Sequence, residues 1–203
     1  MKLAFAVASS VALAATSQAL VTTMTFNGVD MGEVVGLSGH LNGQVWSASL
    51  DFFSSSIYGN INTFCVDLDH FISVGQSWDA YVVDSSTLSG GYKSAANIVG
   101  NAFFQANTSD KACGLQLAVW EAVYDDGATL DLNNGNLIAG GESASALAWA
   151  QTYYAAYRTL DAHAIYFKPV ADDGQGQMTA VPEPASMLGL GALALGIAKR
   201  RRK

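Results

Sequence analysis

An apolar run from Ala185 to Ala198 ends abruptly on Lys199, Arg200, Arg201, Arg202 and Lys203, and this pattern limits what the rest of the chain can be. Fourteen residues rising ~1.5 Å each fall short of the ~20 that cross a bilayer comfortably as a helix. Five consecutive cations would stay on the cytoplasmic side and leave everything before them outside. Ahead of the run, Pro182 and Pro184 fix their own φ and bias the residues before them towards extended backbone. Glu183 is thereby held in a non-helical segment that a protease could grip. The plainer alternative is a tail anchor that is never processed.

The Pro182-Glu183-Pro184 tripeptide, the apolar run and the basic stop, in that order, resemble the PEP-CTERM sorting signal of bacterial envelope proteins. The resemblance covers residues 181–203. It implies an exosortase-like membrane protease as partner and a C-terminal hydrophobic sorting helix that anchors the chain transiently in the inner membrane. It also implies delivery to the cell envelope, the outer surface or the extracellular matrix. The other end of the chain agrees. Lys2, the apolar stretch Leu3 to Ala15 and the small-x-small site Ser17-Gln18-Ala19 read as a signal peptide over residues 1–19.

Setting both segments aside leaves a globular extracellular domain at 20–170, a comfortable single-domain length, and a polar stretch at 171–180 whose Asp, Gly and Gln content reads as a linker. The formal net charge is −7, and Glu183 is the only acid outside 20–180, where Lys93, Lys111, Arg158 and Lys168 are the only cations. A surface this acidic repels phosphate backbones, which excludes nucleic acid as a partner and leaves divalent cations or neutral glycans.

Val21 to Phe26, Gln44 to Phe53, Ile61 to Leu68 and Trp78 to Val83 are rich in β-branched and aromatic residues and read as strands. Asn27-Gly28, Asn42-Gly43 and Tyr58-Gly59-Asn60 separate them, and Asn42-Gly43 is the strongest hairpin signal. Helical spacing follows over Tyr92 to Ala106, Asp110 to Tyr124 with Ser109 or Asp110 as N-cap, and Glu142 to Leu160 starting near Ser143. Ala164 to Val170 reads as a closing strand. The fold class expected is α+β: an antiparallel β-rich sandwich or barrel-like domain carrying a three-helix insertion or cap.

Two stretches concentrate the chemistry, Phe64-Cys65-Val66-Asp67-Leu68-Asp69 and Cys113-Gly114-Leu115-Gln116-Leu117-Ala118-Val119-Trp120. Cys113, Gln116 and Trp120 share a helix face at i, i+3 and i+7. A helix packed across the strand would offer Cys65 two partners, Cys113 and Gln116. Two cysteines in an exported chain favour a Cys65–Cys113 disulfide. Phe64-Cys65-Val66 with Gln116-Leu117-Ala118-Val119-Trp120 also resembles the thioester domains of Gram-positive surface adhesins. That resemblance implies a Cys65–Gln116 thioester able to capture an amine on a partner surface.

Asp67 and Asp69 with Asp125 and Asp126 could form an oxygen-rich calcium site, although Asp125-Asp126-Gly127 also reads as a helix-ending turn. No other cofactor is expected. His40, His70 and His163 are scattered, without HExxH or CxxC spacing, and no GxSxG or phosphate-binding loop occurs. The expected function is therefore non-enzymatic: adhesion, or association with an extracellular polysaccharide or cell-surface partner. The alternative is a secreted glycan hydrolase working through paired acids such as Asp67 and Asp125.

Overall fold

The computed structural model describes residues 20–55 and 59–181. The expected signal peptide at 1–19, Pro182, Glu183, Pro184, the expected sorting helix and the basic stop at 199–203 lie outside the described residues. Seven strands and three α-helices make one α+β unit. In chain order these are β1 Val21–Gly39, β2 Gly43–Ser54, β3 Gly59–Cys65, β4 Ser77–Asp84, α1 Gly90–Ala102, α2 Ser109–Tyr124, β5 Leu137–Gly140, α3 Ala144–Tyr157, β6 Ala164–Pro169 and β7 Gln177–Ala180.

The strands lie in the order β2-β3-β7-β6-β4-β1-β5, every pairing antiparallel, and β2 pairs with β1 as well. That last pairing closes six strands into a ring and leaves β5 on the far half of β1. The Asn42-Gly43 signal marks the β1–β2 hairpin as expected, and β2 opens on Gly43 at φ 151°. Asn27-Gly28 is not a turn. β1 runs straight through it with a register shift between Phe26 and Gly28, so one long strand replaces the short one expected at 21–26. Such bulges bend a strand and raise its twist. β1 pairs with β4 over Val21 to Thr25, with β2 from Met24 to Leu37 and with β5 over Gly36 to Gly39.

The three helices enter between β4 and β6, which are neighbours in the sheet, so they form an insertion with β5 inside it. Side-chain alternation splits the apolar residues between the two faces of the sheet. Met24, Phe52, Trp78 and Phe167 form one buried cluster that draws on strands round the ring. Phe64, Tyr166 and Met178 turn the other way, towards α1 and α3. α2 belongs to both. Cys113, Leu117 and Trp120 join the first cluster, while Leu115, Ala118 and Val119 join the second. Every residue from Ala112 to Ala122 is buried, Gln116 and Glu121 included, so this helix is central rather than a one-faced surface helix. At Gly114 an added Cβ would lie 2.7 Å from both the Ala146 carbonyl and Trp149 Cβ, so glycine permits the close crossing of α2 and α3.

The caps are partly as read. Ser143 caps α3 by accepting from Ala146 N at 3.1 Å, whereas α2 is capped by Thr108, one residue before the expected Ser109.

The linker expected at 171–180 is corrected by β7. Gln177–Ala180 is wholly buried and sits between β3 and β6. Its polar groups are satisfied within the fold. Thr63 Oγ1 donates to Gln177 Oε1 at 2.9 Å, Gln177 Nε2 to Gln175 Oε1 at 2.7 Å, and Gln175 Nε2 to the His70 carbonyl at 2.6 Å. Buried amides are tolerated when paired in this way.

Candidate functional site

β3 ends at Cys65, and the chain then turns through Asp67 and Asp69, so these acids sit on a loop rather than on one strand face. α2 crosses behind that loop and brings Gln116 onto it. Cys65 N donates to Gln116 Oε1 at 2.8 Å, and Gln116 Nε2 donates to the Cys65 carbonyl at 2.7 Å. The Cys65 thiol itself points into the turn: Asp67 N donates to Sγ at 3.3 Å, and Sγ lies 2.9 Å from the Asp67 carbonyl. The Trp120 indole N–H lies towards the same sulfur but makes no full hydrogen bond. Burial pushes the Cys65 thiol up to about 12, against the smaller opposing effect of the Asp67 contact, so it stays protonated at neutral pH.

No disulfide joins Cys65 to Cys113; both are free and buried. Cys113 faces β2, where Ser47 Oγ donates to its carbonyl at 3.0 Å, and burial likewise pushes its thiol up to about 12.

Above Cys65 and Trp120 opens a cleft of about 350 Å³ whose rim carries Trp46, His70, Phe71 and Gln175. Trp46 is 52% exposed and Phe71 68% exposed, so two rings face solvent around a polar edge. A hydrogen-bond clamp fixes that edge. His70 Nδ1 meets Asp67 Oδ2 at 2.8 Å and Nε2 meets Asp172 Oδ1 at 2.8 Å. Only an imidazolium donates from both nitrogens, and the Asp67 hydrogen bond accordingly raises the His70 pKa above its ordinary value. Gly176 N donates to Asp67 Oδ2 at 3.3 Å, tying the loop after β3 to the segment before β7.

The remaining acids do not converge. Asp69 bonds His40 at 2.7 Å, and the His40 ring lies 4.6 Å from that of Tyr124. Asp125 accepts from Asn136 N at 2.7 Å and Leu137 N at 2.8 Å, and Asp126 faces Arg158 at 3.5 Å. Among the described residues no group of three or more His, Cys, Asp or Glu is placed to hold a metal ion, so the calcium candidates are dispersed into separate structural roles. Neither Asp67 nor Asp125 lines the cleft. The sequence reading missed Trp46 and Phe71. The signal available was an aromatic at Trp46 in a β-branched strand and an apolar run, Phe71 to Val74, inside a turn-rich stretch.

At its other end β7 closes on Ala180, and residues 180–203 match the family described as the PEP-CTERM protein-sorting motif. The tail is a PEP-CTERM motif. It implies export and handling by an exosortase membrane enzyme at the cell envelope. No curated protein and no solved structure matches the chain. The PEP-CTERM motif begins on the last residue of β7, so the sorting signal follows the sheet without a spacer. Among the described residues no helix is long and apolar enough to cross a membrane.

Proposed function

We propose that the exported domain is a non-enzymatic binding module of the envelope or extracellular matrix, and that its cleft seats a segment of polysaccharide. The observation that carries this reading is the pairing of exposed Trp46 and Phe71 rings with the clamped His70–Gln175 edge. Aromatic faces stack on the apolar faces of sugar rings, and a few fixed polar groups set orientation. Among the described residues the cleft lining holds aromatic, aliphatic and amide side chains with Cys65 and His70 and no Asp or Glu, a lining suited to retention. The test passes the mature domain over immobilised neutral and acidic polysaccharides and scores both retention and cleavage. Retention lost in Trp46→Ala, with the fold unchanged by circular dichroism, supports the reading; cleavage abolished by Asp67→Asn overturns it.

A second reading, a Cys65–Gln116 thioester, draws on the packing of the Gln116 amide against Cys65, although that amide pairs with the Cys65 backbone while the thiol turns to Asp67 and would have to rotate to reach it. In a thioester the Cys65 sulfur bonds to Gln116 Cδ, the thiol proton leaves with the side-chain amide as ammonia, and a partner amine later takes the acyl group and restores the thiol. Burial would protect such a bond from water. Intact mass decides: a thioester domain lacks one ammonia and gains methylamine on incubation, whereas a domain of full mass that takes up no amine rules this reading out.

A further inference from the structure

The two ends of the described chain leave the ring on the same side. β1 runs against β4, β4 against β6 and β6 against β7, so β1 begins at the end where β7 finishes. Leu20 and Val181 therefore emerge at one end, whereas Cys65 pairs with Gln177 at the other, beneath the cleft. Exposed apolar side chains lie at the exit end as well as around the cleft. Phe104, in the 3-10 turn that closes α1, is 66% exposed and lines a groove with Val181. Leu160, just past α3, is 52% exposed, and its carbonyl accepts from Asn101 Nδ2 at 2.9 Å. The Val181 N–H donates to the His163 carbonyl at 3.3 Å, which holds the exit point against this surface.

We propose that this end of the domain is seated on a lipid bilayer while the tail is anchored, with Phe104 and Leu160 entering the headgroup layer beside the exit of residue 181. The inference rests on reading the apolar run 185–198 as the membrane-inserted part of the sorting motif. Three residues, Pro182 to Pro184, separate Val181 from that run. Fully extended, the four steps from Val181 to Ala185 reach ~14 Å, about twice the ~5–7 Å of headgroup region on one side of a bilayer. The domain is thereby held within several ångströms of the headgroups. Aromatic and aliphatic side chains are the types that gain from the interfacial layer. Lys93 and Asp161 pair with each other at 3.2 Å, while Asp84 at the end of β4 and Asp30 on the wall of the Phe104–Val181 groove are exposed acids, so the seating rests on the apolar side chains and gains nothing from anionic headgroups. The cleft then faces away from the membrane.

The test reconstitutes the full chain in vesicles of phosphatidylethanolamine and phosphatidylglycerol with a nitroxide on Phe104→Cys, Leu160→Cys or, as the distal control, Phe71→Cys. The unsubstituted chain, whose Cys65 and Cys113 are both buried, sets the background labelling. Labels at 104 and 160 are expected to collide with lipid-dissolved oxygen and to be several-fold less accessible than the label at 71 to a water-soluble nickel complex. A chain that floats with the vesicles but leaves 104 as open to nickel as 71 overturns the proposal while the anchor reading survives. A chain that fails to float overturns both. Shielding that appears only when an exosortase is co-reconstituted assigns the surface to protein and also overturns it.

Discussion

The side-chain amide of Gln116 is paired with the Cys65 backbone on both sides, accepting from its N–H at 2.8 Å and donating to its carbonyl at 2.7 Å, so a helix residue extends the hydrogen bonding of a strand end. Both groups are buried. Gln116→Ala leaves a buried donor and a buried acceptor unpaired, each costing about 1–3 kcal/mol. Urea denaturation should show a loss of about 3 kcal/mol. A change under roughly 0.5 kcal/mol, the scale of surface substitutions, would mean that the pairing carries no stability.

Glu121 is buried on α2. Its Oε1 accepts from Asp131 N at 2.9 Å, while Oε2 has no partner. Desolvation raises its pKa, and the Asp125 and Asp131 charges add to the shift. The unfolded chain ionises near the ordinary carboxylate value, so the stability this glutamate contributes is full below that value and is lost as pH rises through the folded one. Between the two, wild-type stability should fall by up to about 1.4 kcal/mol per pH unit on this account. Glu121→Gln should show a shallower decline over the same range in denaturation curves taken from acid to neutral pH. Identical slopes would contradict the assignment.

His70 titrates in the opposite chemical sense but with the same sign of shift. Hydrogen bonding to Asp67 first, and the charges of Asp67 and Asp172 after it, hold its pKa above the ordinary imidazole value against opposing desolvation. The clamp is complete below that ordinary value and is released as pH rises through the raised one. A proton NMR titration should place the His70 midpoint above ~6.5, and Asp67→Asn should lower it. A midpoint that ignores Asp67 would remove the clamp from the account of the cleft rim.

At Gly114, alanine would force its methyl against the Ala146 carbonyl and Trp149 Cβ, both 2.7 Å from the ideal position. Separating α2 from α3 is expected to cost about 1–3 kcal/mol. Thermal melts of Gly114→Ala should show the loss, whereas Gly140→Ala, with nothing within 4 Å, controls for added bulk.

The strands and helices legible in the sequence were those whose apolar residues keep one period. Ser143 was readable as a cap because a serine directly precedes the alanine-rich run; Thr108 was hidden by Ser109 and Asp110, which cap equally well on paper. β7 was illegible for a physical reason. Gln175, Gln177 and Thr179 look like linker residues, and only their hydrogen bonds to His70, Thr63 and Asn62, contributed from elsewhere in the chain, make burial tolerable. The Cys65–Gln116 approach could be read from helical spacing, although the face in contact turned out to be the Cys65 backbone rather than its sulfur. The cleft could not be read, since Trp46, Phe71, Trp120 and Gln175 come from four separate segments.

The position of β7 also sets a timetable for folding. The strand that joins β3 to β6 is the last one among the described residues, so during the export that the sorting motif implies the first strand must wait in an unfinished sheet until residue 180 has crossed the membrane. Pairings of such long sequence separation form slowly and leave open edges meanwhile. Completion of the sheet and arrival of the sorting signal at the membrane are thereby nearly simultaneous, and a processing enzyme that acts on residues 182–184 meets a domain that has only just been able to fold.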